Sequence, residues 1–408
     1  MFDPSPSIIV GLEVGTSKVC AVVGEFSPGG VLSVIGLGQA RSRGVRKGEI
    51  VDGTAVGEDI RTAIAEAEQM ADAEIRSVFL GVSGAHIRGF NNRGRHSIVS
   101  ADREICDDDV LDVVKNAKAI NLPTDHHVIH VVRQHFLVDG QEDILNPVGM
   151  LGANLEVDVH VVHGITNRLQ NPIRAVKSLQ LEVEDIVFNG MASSLAVLST
   201  GDKELGSLVI DLGAGVTEYV VYCDGIIKHT GALAVGGDHV TNDLAYGLKV
   251  SMGRAEDLKI AHGAAQVDET AKGRMVSFNN EHNLPERSIN LEHLRRIMCV
   301  RMEEIFGIIA EEIGNTGLLD YLRAGIFLCG GGSRMPGVAK LAERIFGLPV
   351  SLASTKSVSG LVSTLAQPEF ATAIGLVKFG SFQQDRQRNR GGLGFRLKRT
   401  IGQLLNRD

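Results

Sequence analysis

The sequence predicts an α/β fold in two related halves with a cleft between them. Three glycine-centred strand turns carry that prediction. Residues 8–18 form an apolar strand with an acid at Glu13 and a Gly15-Thr16-Ser17-Lys18 turn, and a second apolar strand follows at 19–23. Residues 208–218 repeat the pattern 200 residues later, with Asp211, Gly213-Ala214-Gly215 and Thr217 ahead of an apolar strand at 219–222. Residues 327–337 supply a buried strand, the bend Gly330-Gly331-Gly332-Ser333 and a helix start. Glycine permits such turns and lets backbone N–H groups approach an anion closely. Each turn alone also suits a plain hairpin. Three in this order, two of them matched, point to a nucleotide held between the halves.

The bulk properties fit. A chain of 408 residues exceeds one ordinary core, so at least two domains are expected. The five cysteines are odd in number, far apart and without a CxxC pair. That favours neither a disulfide framework nor a zinc site and suits a reducing compartment. The first apolar run is a short strand, so no signal peptide is expected. No stretch reaches the roughly 18 apolar residues of a membrane span. The chain carries −8 overall, yet residues 381–408 hold seven basic and two acidic residues. An acidic body with a basic tail argues against general nucleic-acid binding and for a specialised tail.

Along the chain, residues 32–37 extend the first sheet. Residues 57–71 form a helix with Ile60, Ile64, Ala67 and Ala71 on one face, and 77–83 return as a strand. Between 86 and 166 the pattern changes to short alternating strands (128–132, 135–138, 155–162) around one helix that begins at Asp107-Asp108-Asp109. This reads as a small α+β insertion. Residues 172–179 are helical, 183–188 a strand and 192–198 a short helix. Residues 238–325 are mainly helical, and the longest helix, 291–313, carries its apolar residues on one face. Residues 325–329 form a strand, 337–346 a helix, and 368–379 close the fold as a helix.

The polar, glycine-ended stretch 381–392 reads as a flexible linker. In the last segment Leu393, Leu397, Ile401, Leu404 and Leu405 share one helical face, while Phe395 falls off the stripe. Lys398 and Arg399 add charge. The plain reading is a terminal helix docked on the body. The linker and the basic residues favour a membrane-surface helix instead.

The order of the three glycine loops is similar to that of the actin, sugar-kinase and heat-shock-chaperone ATPases. More narrowly, the chain resembles the bacterial cell-division FtsA family along nearly its whole length. The resemblance rests on residues 9–19, Ser42-Arg43-Gly44 with Lys47-Gly48, and Asn146-Pro147-Val148-Gly149. It rests also on Ala192-Ser193-Ser194, Asp243-Leu244-Ala245-Tyr246, Leu328-Cys329-Gly330-Gly331-Gly332 and the tail. It implies an actin-like ATPase fold with an inserted SHS2-type subdomain. The implied parts are a first-half core (1–85 with 167–205), the insertion (86–166), a second-half core (206–237 with 326–380) and a helical subdomain (238–325). The linker (381–392) and a membrane-targeting helix (393–408) complete it.

The resemblance also implies ATP and Mg²⁺ as cofactors. It places Gly15, Thr16, Ser17 and Lys18 on a first phosphate loop and Asp211, Gly213, Ala214, Gly215 and Thr217 on a second. Asp211 would meet Mg²⁺ through water, because magnesium dehydrates reluctantly. Gly236 and Gly237 approach the phosphates or ribose, Glu256 and Lys259 flank the adenosine, and Gly331, Gly332, Ser333 and Met335 form the adenine bend. The implied function is a self-assembling adaptor that tethers the FtsZ ring to the cytoplasmic face of the inner membrane at the septum. Its tail helix binds anionic lipids, the region of Arg301 receives the C-terminal tail of FtsZ, and the insertion meets later division proteins.

Three departures qualify this. Glu13 stands where the superfamily usually has aspartate. Phe188-Asn189-Gly190 offers no carboxylate to orient a water, so at most slow hydrolysis is expected, with nucleotide acting as an assembly switch. Met298-Cys299-Val300 departs from the family pattern before Arg301, and a solvated face is the plain reading of that helix's arginines. The alternative function, a small-molecule (sugar-type) kinase, would need a substrate-facing carboxylate and no amphipathic tail. The histidine pairs 130/135 and 160/163 lie odd distances apart, so regular strands would turn them to opposite faces and a metal site is not expected.

Overall fold

The structure, a computed structural model, describes residues 7–26, 32–100, 102–278, 287–355, 359–360 and 367–391. In the first half β1 (Ser7–Val14), β2 (Lys18–Phe26) and β3 (Leu32–Arg41) form an antiparallel meander. A two-residue-turn hairpin, β4 (Val45–Arg46) and β5 (Glu49–Ile50), leads to α1 (Gly53–Ala71). The helix begins at Gly53 rather than 57 because the Asp52 carboxylate caps it, accepting from the N–H groups of Thr54 and Ala55. Val56, Ile60, Ala63, Ile64 and Ala67 then bury one face against the sheet. β6 (Ser77–Val82) adds to β1 in parallel.

The insertion follows as β7 (Arg88–Ser97), α2 (Asp107–Lys118), β8 (His126–Val138), β9 (Gln141–Ile144) and β10 (Asn154–Ile165). Its four-stranded sheet runs in the order β7-β10-β8-β9. The two strands expected at 128–132 and 135–138 are one, because Arg133 and Gln134 stay within the ladder to β10 or beside it. Then α3 (Thr166–Lys177) leads to β11 (Glu182–Phe188), which pairs in parallel with β6, and α4 (Asn189–Val197) follows.

The short α5 (Thr200–Leu205) crosses to the second half, where β12 (Ser207–Leu212), β13 (Thr217–Cys223) and β14 (Ile226–Leu233) repeat the meander. A helical layer covers them: α6 (Gly237–Leu248), α7 (Met252–His262), the hairpin β15 (Met275–Phe278) and β16 (Arg287–Asn290), then α8 (Leu291–Asn315). β17 (Gly325–Cys329) joins β12 in parallel, α9 (Val338–Phe346) follows, and β18 (Val350–Leu352) adds outside β17. The short β19 (Ser359–Gly360) crosses back to the edge of β3. The last helix, α10, spans Ala371–Gly391. Residues 381–391 therefore continue a helix and do not form the expected linker, and Phe382 packs onto the core. The tail helix expected at 393–408 lies outside the described residues. Among the described residues no helix is long and apolar enough to cross a membrane.

Both sheets bury a face against the same two helices, α4 and α10. One core runs from Ile9, Cys20 and Val22 through Met191, Ala192, Ala373 and Leu376 to Val209, Val220 and Phe327. The helices cross so closely that a Cβ at Gly375 would lie 1.7 Å from the Ala192 carbonyl oxygen. Gly11 on β1 is as constrained, its Cβ position lying 2.4 Å from the Ala373 oxygen.

The insertion also touches the second half. His160 is fully buried, with its ring nitrogens 2.7 Å from Asn91 Oδ1 and 2.9 Å from Thr230 Oγ1. Burial foremost holds it neutral, pushing its pKa down to about 3. Gln134 Nε2 donates to the Ile227 oxygen at 2.7 Å and Asn91 Nδ2 to the Lys228 oxygen at 3.0 Å, so the insertion grips β14. The other histidines have separate partners: His126 and His163 face each other, His130 accepts from the Phe188 N–H, and His135 meets Asp143.

A methyl group at the helix crossing forces backbone apart. Gly375→Ala is expected to cost about 3 kcal/mol of stability by urea unfolding. Gly57→Ala, where a Cβ meets nothing within 4 Å, should instead gain roughly 0.5–1 kcal/mol as a helix-interior replacement.

Candidate functional site

The two hairpins close their turns identically. The Gly15 N–H donates to the Lys18 oxygen at 3.0 Å, and the Gly213 N–H to the Val216 oxygen at 3.0 Å. At each glycine a Cβ would press on that same acceptor, 2.9 Å and 2.6 Å away. The tips, Thr16-Ser17 and Ala214-Gly215, face one another across the halves. A Cβ on Gly215 would lie 2.5 Å from Thr16 Oγ1. The start of α6 is tied to the second tip, since the Gly237 N–H donates to the Gly213 oxygen (3.0 Å) and the Asp238 N–H to the Ala214 oxygen (2.8 Å). Gly236 fits because a side chain there would strike both carbonyls. The structure thus brings Gly15–Lys18, Gly213–Gly215, Gly236 and Gly237 into one locus. A helix N-terminus and glycine turns are suited to an anion there.

Beneath the tips lies a floor of carboxyl groups. Glu13 and Lys18 pair at 3.3 Å, and the Lys18 ammonium also stands over the Phe370 ring. Burial opposes the Lys18 charge, but Glu13 and, more weakly, Asp211 outweigh it and hold the ammonium above its ordinary pKa. Asp211 is buried and accepts from Thr372 Oγ1 at 2.8 Å. Burial, then the Glu13 charge, pushes its carboxyl up to about 6. Glu218 stands directly opposite Asp211 in the β12–β13 ladder. Directly opposed residues share a face of the sheet, so Glu218 points toward the floor and not away from it. Its Oε1 and the Asn189 Oδ1 are buried with no hydrogen-bond partner among the described residues. Burial first, and the neighbouring Asp211 charge second, raise the Glu218 carboxyl well above the usual range.

The remaining expected residues fall into place unevenly. Gly331 and Gly332 open a short turn after β17, with Gly332 against Leu212 and Gly331 facing open space. Ser333 is buried and its hydroxyl donates to the Gly330 oxygen, so it shapes the bend, as does Met335 packed on the core. Thr217 is fully buried and its hydroxyl donates to the Val235 oxygen at 2.8 Å, which makes it an anchor of the loop. Lys259 is engaged with Glu256 (2.7 Å) and Thr241 (2.8 Å), bracing α7 against the first turn of α6. Arg301 forms a fork with both oxygens of Asp243, at 2.6 and 3.0 Å, and also meets Glu304. Sequence reading missed the inward Glu218. Its position opposite Asp211 follows from counting outward from the four-residue turn.

Two family models match the chain: "Cell division protein FtsA" over residues 208–375 and "SHS2 domain inserted in FTSA" over residues 84–163. The chain is 38% identical to Cell division protein FtsA of Pseudomonas aeruginosa over 93% of its own length and 91% of that protein. It is 36% identical to that of Neisseria meningitidis over 96% and 97%. The chain belongs to the FtsA family of cell-division proteins. Among solved structures it is similar in fold to one of a PilM–PilN type IV pilus biogenesis complex, with TM-score 0.65, 16% identity and coverage of 91% and 98%. It is similar also to MreB5 of Spiroplasma citri bound to ADP, with TM-score 0.57, 16% identity and coverage of 95% and 99%. The fold of this FtsA-family chain is therefore the actin-like ATPase fold with an SHS2 insertion.

The raised Asp211 carboxyl has a signed consequence. Its pKa is higher folded than unfolded, so the folded chain binds the proton more tightly and loses stability as pH rises between the two values. Ligand-free protein should lose up to roughly 3 kcal/mol relative to Asp211→Asn between about pH 4 and 6, read from urea midpoints. Parallel profiles for the two proteins would contradict the assignment.

Proposed function

We propose that this chain is an ATP-binding, actin-like adaptor of the division ring, which assembles on itself and holds an FtsZ ring at the membrane. The observation that carries the reading is the pair of identically closed glycine turns brought tip to tip from the two halves. Bound ATP would lie between them, with the backbone of Gly15, Thr16, Ser17, Gly213, Ala214 and Gly215 toward its phosphates. The bend at Gly331–Met335 and the α6–α7 corner braced by Glu256 and Lys259 would border the base and ribose.

The floor suits a divalent cation. Glu13, Asp211 and Glu218 outnumber Lys18, and burial, then the neighbouring acidic charge, raises the carboxyls of Asp211 and Glu218. Among the described residues no three of them converge closely enough to ligate one ion directly. A hydrated Mg²⁺ answers both facts, with Asp211 and Glu13 reaching it through water. Such an ion would neutralise phosphate charge. The residues themselves orient the nucleotide and join the halves, and Glu218 and Asn189 add buried polar atoms without an obvious proton-accepting role. Slow hydrolysis at most, and a switch in assembly, fit this floor.

In this reading filaments form through like contacts between copies, the insertion meets later division proteins, and the helical layer of the second half takes the FtsZ C-terminal tail. Tyr246 and Val300 are exposed there, one turn from Asp243 and next to Arg301. An acidic tail segment would compete with Asp243 for the Arg301 fork. Residues Leu393, Phe395, Leu397, Lys398, Arg399, Ile401, Leu404 and Leu405 would seat on anionic lipids of the cytoplasmic leaflet. One such helix binds weakly, so an array of copies is needed for firm attachment.

Vesicle flotation tests the anchor. The full chain should float with anionic vesicles, less so in high salt, and a chain lacking residues 393–408 should stay at the bottom. Equal flotation of the truncated chain would refute the membrane role. Rapid phosphate release that depends on an added sugar would favour the kinase instead.

A further inference from the structure

The turn between β4 and β5 is made by Lys47 and Gly48, with φ of 52° and 75°. Both lie in the left-handed region, the conformation of the tight hairpin turn that usually takes Asn-Gly. Lysine has no short polar side chain with which to ease that conformation. A residue held there against its preference is a pointer to function when the surroundings fix it. Here they do. The Gly48 N–H donates to Thr16 Oγ1 of the first phosphate loop at 3.0 Å. A Cβ on Gly215 of the second loop would lie 2.9 Å from both Lys47 Cα and Lys47 N. A Cβ on Gly48 would lie 2.8 Å from Val216 Cγ2 and 2.9 Å from Ser83 Oγ. A hairpin of the first half thus rests on both phosphate loops at once.

The lysine's charge is felt at the same place. His239, in the first turn of α6, is held below its ordinary pKa by burial and next by the Lys47 ammonium. The neighbours of Lys47 in the hairpin differ from it. Glu49 pairs with Arg168 at the outer side. Lys18, the lysine of the first loop, is neutralised by Glu13. Lys47 is exposed and forms no ion pair among the described residues. A cation at the meeting point of two anion-binding tips, unpaired while its counterpart is paired, is suited to a phosphate that reaches beyond the first two.

We propose that Lys47 is a second phosphate lysine, which binds the terminal phosphate of a nucleoside triphosphate and so lets the cleft distinguish triphosphate from diphosphate. The proposal rests on the nucleotide reading above. It gives that reading a discriminating residue: the hairpin belongs to the first half and touches Gly215 and Val216 of the second, so a terminal phosphate under Lys47 would hold the halves together.

The test compares Mg-ATP and Mg-ADP affinities, by calorimetry on the full chain, for the wild type, Lys47→Gly and Lys47→Arg. Lys47→Gly removes the ammonium and suits the left-handed turn, so its melting temperature should stay level or rise. It should lose about tenfold in ATP affinity and under about twofold in ADP affinity. Lys47→Arg should keep the preference for ATP. Unchanged affinities in Lys47→Gly, or equal losses for both nucleotides, would overturn the proposal. Wild-type protein that binds neither nucleotide would overturn the nucleotide reading itself and the proposal with it.

Discussion

The close crossing of α4 and α10 at Ala192 and Gly375 is the constraint on which the rest depends. Two sheets, from halves that are far apart in sequence, share one core because these helices fill the space between them. The glycines at 11 and 375 let helix and sheet, then helix and helix, approach to backbone contact. That approach sets β1 and β12 facing across the helices, and their turns inherit the arrangement. The two glycine turns meet because the strands that carry them pack on the same pair of helices, not because the turns attract each other.

That geometry has an electrostatic cost. Bringing β1 and β12 together also brings Glu13 and Asp211 together, and the hairpin register adds Glu218. Lys18 offsets these charges only in part, and burial and mutual repulsion hold Asp211 and Glu218 toward their protonated forms. Hydrophobic packing of the helices stabilises an arrangement that charge alone would push apart. A site of this kind favours a ligand that brings its own cation, and the glycine tips above it favour the anion that such a cation accompanies. The insertion adds a further tie, because His160, Asn91 and Gln134 fasten it to β14. Relative motion of the halves must therefore either carry the insertion along or break buried hydrogen bonds.

Much of this was legible in the sequence, for physical reasons. The hairpins at 8–23 and 208–222 announce themselves through glycine between apolar runs, and the strand at 325–329 begins and ends where its apolar residues do. The helix expected at 291–313 extends only to Asn315. What failed was what depends on distant partners. Arg133 and Gln134 looked like a break in β8, but Gln134 is buried because Ile227 of the other half accepts from it. β14 went unread since His229 and Thr230 interrupt its apolar pattern, and their partners are distant in sequence, Glu312 of α8 for His229 and His160 of the insertion for Thr230. Residues 381–391 looked like a linker by composition, yet they extend a helix already nucleated by the apolar run from Ala371. Thr217 looked like a ligand contact by motif, and the fold turned its hydroxyl to Val235.

The central claim is that two separate halves clamp one nucleotide through equivalent turns. Amide hydrogen exchange measured with and without saturating Mg-ATP tests it most directly. The account predicts slower exchange in peptides covering residues 11–18 and 211–217 together, over the same range of nucleotide concentration. Protection of one turn while the other exchanges as in the free protein would contradict it.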